Sequence, residues 1–213
     1  MGLLIAYVIF TNTGELVCPT GDYQFTYDGD PGPLDGNGFP SAFGFSGTSS
    51  MVSHDVINKR AIVRISNCGA VWLRIYAVPD PANYARDFTL VHVDNIASYQ
   101  SGEIFSPRVL GLWKDFTTLR FMDWGKTNNS VLSTWANRPL PSDMSTKSNN
   151  GVSLEDMIAL SNELLVEPWF CVPHLADDDY ITQMVTLIRD TLDPRLRFNI
   201  EYSNETWNSM FDQ

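Results

Sequence analysis

Residues 169–202 read WFCVPHLADDDYITQMVTLIRDTLDPRLRFNIEY and set the architecture of the C-terminal half. Trp169-Phe170-Cys171-Val172-Pro173 is a short apolar run with the composition of a buried strand. From Asp178-Asp179 onward, Ile181, Met184, Val185, Ile188 and Leu192 recur at helical spacing, so one face of a helix is apolar. Arg197-Phe198-Asn199-Ile200-Glu201-Tyr202 then returns as a strand. Strand, helix and strand in succession predict a βαβ unit with parallel pairing.

Upstream, the same grammar repeats. Ser153 is placed as an N-cap with Asp156 in the third position of a capping box, ahead of Ile158, Leu164 and Leu165. Thr118-Leu119-Arg120-Phe121-Met122-Asp123-Trp124 precedes that helix as a strand. Ser106-Pro107 opens an earlier helix carrying Val109, Leu110, Trp113 and Phe116. Before residue 105 the pattern changes. Tyr23 to Tyr27, Ala61 to Ile65, Val71 to Ile75 and Phe88 to Val93 alternate apolar and polar residues between Gly and Pro turn signals. The expectation is therefore α+β overall, with an antiparallel β-sandwich over residues 1–104 and an α/β region over 105–213.

Composition narrows the function. Lys plus Arg is 14 against 25 Asp plus Glu, a net charge of −11, and neither half carries the basic footprint that nucleic-acid binding requires. Six Trp among 26 aromatic residues exclude a disordered chain. Leu3 to Phe10 is too short to span a bilayer and lacks the flanks of a signal peptide. Cys18, Cys68 and Cys171 include no CxxC pair, so no zinc site is expected; a Cys18–Cys68 bridge stays open. No GxGxxG or GxxxxGK[ST] loop is present, and no cofactor is expected.

In parallel α/β architectures, sites form where strands end. Three loops qualify: 124–152 with Trp124, Asn128, Trp135 and Arg138; 174–179 with His174 and three aspartates; and 203–208, Ser-Asn-Glu-Thr-Trp-Asn. Their indoles, amides and carboxylates suit a neutral polyhydroxylated ligand. The aspartates Asp177, Asp178 and Asp179 read first as caps for the following helix. His54 and His92 read as ordinary surface or strand residues.

The strand ending in Glu201-Tyr202-Ser203-Asn204-Glu205-Thr206-Trp207-Asn208 resembles the Asn-Glu strand of clan-A retaining glycoside hydrolases, which are (β/α)₈ barrels. Residues 120–128 and 169–180 look like the stretches ahead of it, and relatives of this kind often carry a β domain in front of the barrel. The resemblance implies a partial (β/α)₈ barrel over 105–213, acting on or binding β-linked polysaccharide. It implies Glu205 as general acid/base, Asn204 as the amide that bonds a sugar hydroxyl, Arg120 and His174 as strand-end residues of the pocket, and Asn128, Trp124 and Trp207 as further sugar contacts. The family's nucleophile is a glutamate on a later strand, whereas the sequence stops at Gln213. Glu201 cannot replace it, because strand rise puts it roughly 13 Å from Glu205 against the ~5 Å retaining chemistry requires. The expectation is thus an incomplete catalyst or a non-catalytic carbohydrate-binding or surface protein, extracellular or secreted, self-associating through an open barrel edge.

Overall fold

The computed structural model describes residues 5–10, 20–67, 69–143 and 150–213, the first six by backbone alone. Cys18 and Cys68 lie outside the described residues. The chain forms two compact units, Met1–Ser106 and Pro107–Gln213.

The first unit is two antiparallel sheets. One holds β1 (Ile5–Phe10), β6 (Val71–Ile75) and β3 (Phe43–Gly47), in the order β1-β6-β3. The other holds β2 (Gly21–Asp28), β4 (Ser49–Asp55), β5 (Arg60–Ile65) and β7 (Arg86–His92), in the order β4-β5-β2-β7. Alternation does the sorting on β2: Tyr23, Phe25 and Tyr27 point inward and are buried. Phe25 and Tyr27 share a core with Ala61 and Val63 of the same sheet and with Phe43 and Leu73 of the other, while Tyr23 packs with Ile65 and Val71. Phe25 lies between Phe45, ring centroids 5.0 Å apart and edge-on, and Phe88, 5.6 Å apart and stacked. Burying a side chain of this size contributes roughly 1.5–3 kcal/mol. On the outer face Asp22 sits opposite Arg64 in register and accepts two hydrogen bonds from it, at 2.7 and 2.8 Å.

The chain passes from one sheet to the other at Gly47-Thr48. Gly47 has φ +84°, and a Cβ there would lie 2.0 Å from the Ala70 carbonyl oxygen, which accepts from the Thr48 amide at 3.0 Å. Only glycine fits such an approach. β3 and β4 are strands that the sequence reading passed over, since Gly44, Gly47 and a run of serines read as turn. α1 (Ile96–Gln100) is a helix that it did not expect before residue 105. His54 is more than an ordinary strand residue: its Nδ1 donates to the Gly38 carbonyl at 2.9 Å and its Nε2 meets the Tyr27 hydroxyl at 2.8 Å.

The second unit contains α2 (Pro107–Trp113), β8 (Thr118–Arg120), α3 (Leu154–Leu164), β9 (Glu167–Val172), α4 (Asp178–Thr191) and β10 (Asn199–Tyr202). The strands pair in parallel, in the order β10-β9-β8. Ser153 caps α3 by accepting from the Asp156 amide, and Asp177 caps α4 by accepting from the Tyr180 amide at 2.7 Å. Phe170, Val172, Ile158, Leu160, Met184 and Ile188 are buried, so strand and helices meet on their apolar faces.

The partial (β/α)₈ barrel is not there. Three strands of three, six and four residues form an open sheet in which only the middle one is bonded on both sides. Together with the two antiparallel sheets and four short α-helices among the described residues, this makes a small mixed α+β protein. The reason lies in what periodicity encodes. A βα repeat sets the pairing of neighbouring strands, while closure depends on strand number and stagger, which no local pattern carries. In a closed barrel β10 would be covered on both sides; here Ile200 is 42% and Tyr202 62% exposed.

Candidate functional site

The polar residues gather on the sheet face away from the buried side of β9. Register sets Arg120 beside Trp169 and Glu201 beside Cys171. Because alternate strand residues share a face, all four point to the same side. Arg120 reaches across β9: its Nε and Nη2 donate to Glu201 Oε2 at 3.0 and 2.7 Å, and its guanidinium carbon lies 5.4 Å from the centre of the Trp169 ring. Nη2 also donates to Asn204 Oδ1 at 2.8 Å. Burial pulls the Arg120 pKa down, but the hydrogen bonds and charge of Glu201 outweigh it and hold the group above its ordinary value. The Cys171 thiol donates to Glu201 Oε2 at 3.5 Å; burial first, then the Glu201 charge, pushes its pKa up to about 11.

From Asn204 the network runs outward. Asn204 Nδ2 donates to Asn128 Oδ1 at 2.9 Å, and Gln213 Nε2 donates to both Asn128 Oδ1 and the Asn204 carbonyl at 2.7 Å. Asn129 takes part through its amide to Gln213 Oε1 at 3.0 Å. Asn204 itself is buried and lies between two non-glycine residues in the left-handed region, Ser203 at φ 56° and Glu205 at φ 42°. Such conformations cost of order 1 kcal/mol each and concentrate at functional sites. Ser203 Oγ and His174 Nδ1 are buried there without a hydrogen-bond partner. Buried polar atoms left in this state are uncommon and want an explanation.

The predicted residues divide into four groups. Arg120, Asn204 and Asn128 form one connected network. Glu205 and Trp207 lie beside it on the surface: Glu205 Oε2 accepts from Asn208 Nδ2 at 2.8 Å, and Trp207 is 80% exposed. His174 is half-buried after β9, its carbonyl accepting from the Tyr202 hydroxyl at 3.0 Å. Trp124 stands apart in an aromatic cluster, 5.4 Å from Trp113 and 5.6 Å from Phe121 between ring centroids. The sequence reading missed Glu201 as the partner of Arg120, and Trp169, placed in the core, is 37% exposed. Opposite charges at strand ends were the available signal; it becomes legible only once the strand order is known.

Among the described residues, two cavities lie elsewhere. One of about 30 Å³, between Phe121, Leu132, Met157, Phe170, Tyr180 and Met184, has room only for water. The other, of about 460 Å³, follows the open edge of β7 past Phe88, Leu90, His92 and Tyr99. Among the described residues, no cluster of His, Cys, Asp and Glu is grouped to hold a metal, and no helix is long and apolar enough to cross a membrane.

No family model, curated protein or solved structure matches the chain. The resemblance to clan-A glycoside hydrolases is therefore withdrawn, having neither a barrel nor a matching family beneath it. An Asn-Glu pair after a strand is a two-residue signal, and many unrelated strand ends carry it.

Proposed function

We propose that the protein binds a β-linked polysaccharide without cleaving it, through the strand-end face of the second unit. One observation carries this reading. The strained Ser203-Asn204-Glu205 turn buries an amide between Arg120 and Asn128 while leaving Glu205 and the Trp207 indole on the surface. An exposed aromatic plane beside fixed amides and a carboxylate is the combination a neutral polyol uses: the ring covers C–H groups and the polar groups meet hydroxyls. Cleavage has no comparable support. Glu201 is held by Arg120 and Glu205 by Asn208, and retaining chemistry asks for two carboxyl groups about 5 Å apart across the scissile bond. A ligand of this class lies outside the cell, and we place the protein there.

The test is binding to insoluble β-glucan and xylan by the full chain, with Trp207→Ala alongside. Binding that falls about tenfold or more in the variant supports the reading. A folded chain that binds neither polymer, or binds equally well without the indole, rejects it. Self-association was expected from a barrel edge, and without a barrel that ground is gone.

A further inference from the structure

We propose that Asn37-Gly38 is a self-modifying site, at which the Gly38 nitrogen closes on the Asn37 side-chain amide and water opens the ring to aspartate or isoaspartate. Asn-Gly occurs twice in the sequence, at Asn37-Gly38 and at Asn150-Gly151. Glycine after asparagine favours ring closure, because no Cβ keeps its backbone nitrogen away from the amide. The fold separates the two pairs. Asn37 is exposed in the turn from Asp35 to Phe39, and a Cβ on Gly38 would meet nothing within 4 Å. Asn150 is held instead: its Nδ2 donates to the Asn137 carbonyl at 3.1 Å. Gly151 is buried so closely that a Cβ would lie 2.3 Å from the Trp124 carbonyl oxygen, which accepts from the Val152 amide at 2.8 Å. The second pair is therefore fixed in place while the first stands in solvent.

In the first step the Gly38 nitrogen loses its proton to hydroxide and bonds to Asn37 Cγ, the Cγ–Nδ2 bond breaks, and the amide nitrogen takes a proton and leaves as ammonia. Water then adds to one of the two carbonyl carbons of the succinimide. Opening at Cγ leaves aspartate; opening at the backbone carbon leaves isoaspartate, with the chain running through the former side chain. One water enters for each ammonia released. Asp35 is the restraint on this reaction. Its carbonyl accepts from the Gly38 amide at 3.0 Å, and its Oδ1 accepts from the Asn37 and Phe39 amides at 2.8 and 2.9 Å. The turn has to open before the Gly38 nitrogen reaches Cγ, and an exposed turn opens at small cost. Isoaspartate would add a methylene to the backbone just before Gly38, whose carbonyl accepts from His54 Nδ1 at 2.9 Å. The modification thus loosens the hold of this loop on His54, and through it on the Tyr27 hydroxyl.

Incubation of the full chain in warm, mildly alkaline buffer, followed by peptide mapping with mass spectrometry, tests the site. Asn37 should convert at least about tenfold faster than Asn150 in the folded chain, and the two rates should converge in urea, where only the shared Asn-Gly sequence acts. Asp35→Ala should speed conversion of Asn37 by about fivefold or more, the worth of one lost hydrogen bond, and leave Asn150 unchanged. Asp35→Asn keeps a side-chain oxygen for the two amides and should stay near wild type. Circular dichroism shows that both variants are folded. In the isoaspartate form, separated by ion exchange, the His54 ring signals in the NMR spectrum should shift. An Asn37 that does not react in the folded chain overturns the proposal. Equal rates at the two sites, an Asp35→Ala rate equal to wild type, or unmoved His54 signals overturn it as well.

Discussion

Asn204→Ala should destabilise the second unit by about 2 kcal/mol. Asn204 is 3% exposed and its side chain makes two hydrogen bonds, one from the Arg120 guanidinium at 2.8 Å and one to Asn128 at 2.9 Å. A bond from a charged donor contributes about 1.5–3 kcal/mol and a neutral one about 0.5–1.5 kcal/mol. The first is discounted, since the Arg120 side chain is 35% exposed and keeps its bonds to Glu201 when Asn204 is lost. Asn128 likewise keeps its partner Gln213, so the truncation orphans no polar group. Urea unfolding followed by tryptophan emission is the assay, because five of the six tryptophans, all but Trp72, lie in the second unit. With a typical denaturant dependence, 2 kcal/mol moves the midpoint by roughly 1 M. Glu205→Gln, on an exposed side chain, should leave it in place. A midpoint in Asn204→Ala within about 0.2 M of wild type, or a shift of equal size in Glu205→Gln, would refute the idea that the amide network ties these strand ends together.

Three further outcomes follow from the geometry. Gly47→Ala should destabilise the first unit by about 3 kcal/mol or more, since the new Cβ would meet the Ala70 carbonyl oxygen at 2.0 Å in a left-handed backbone; far-UV circular dichroism on heating reads it. Asp177→Ala should cost about 1 kcal/mol by removing the acceptor for the Tyr180 amide at the start of α4, and Asp177→Asn should recover most of it in the same urea assay. Asp22, Asp28 and Asp55 have lowered pKa values, through hydrogen bonds from Arg64, Lys59 and Asn58 respectively. Their contribution is complete above the ordinary carboxylate value of 3.8 and is lost as pH falls through the lowered values, and because these carboxylates face solvent the first unit should lose only a little stability, and only below about pH 4. Asp22→Asn, Asp28→Asn and Asp55→Asn together should flatten the fall in melting temperature below about pH 4; a fall as large as in wild type would count against these pairs.

The sequence carried the local elements well and the global ones poorly. Alternation in Tyr23-Gln24-Phe25-Thr26-Tyr27 placed β2 because one face of that strand is buried and the other is not. The Ser153 and Asp177 caps were readable because capping is a matter of three or four consecutive residues. Phe43 to Asp55 was not, since glycines that serve a corner look the same as glycines that serve a loop. At the candidate site, Arg120, Asn128 and Asn204 were legible as polar residues at strand ends, and they do share one network. Trp124 looked equivalent to Trp207 in sequence, yet one packs against Trp113 and Phe121 while the other faces solvent. That difference depends on which residues the fold brings alongside, as does the pairing of Arg120 with Glu201 across an intervening strand.

That pairing also sets a clock. Arg120 and Glu201 are 81 positions apart, and the bond between them links the two outer strands of a sheet whose middle strand comes between them in the chain. At a synthesis rate of about 5–20 residues per second, Arg120 waits roughly 4–16 s on the ribosome before its partner exists. During that interval β8 and β9 can pair, but the face bearing Trp169 and Cys171 lacks Glu201, the carboxylate that bonds the guanidinium. The second unit is thus a late folder by its wiring, and a nascent chain paused before Glu201 should remain protease-sensitive in the segment from Thr118 onward.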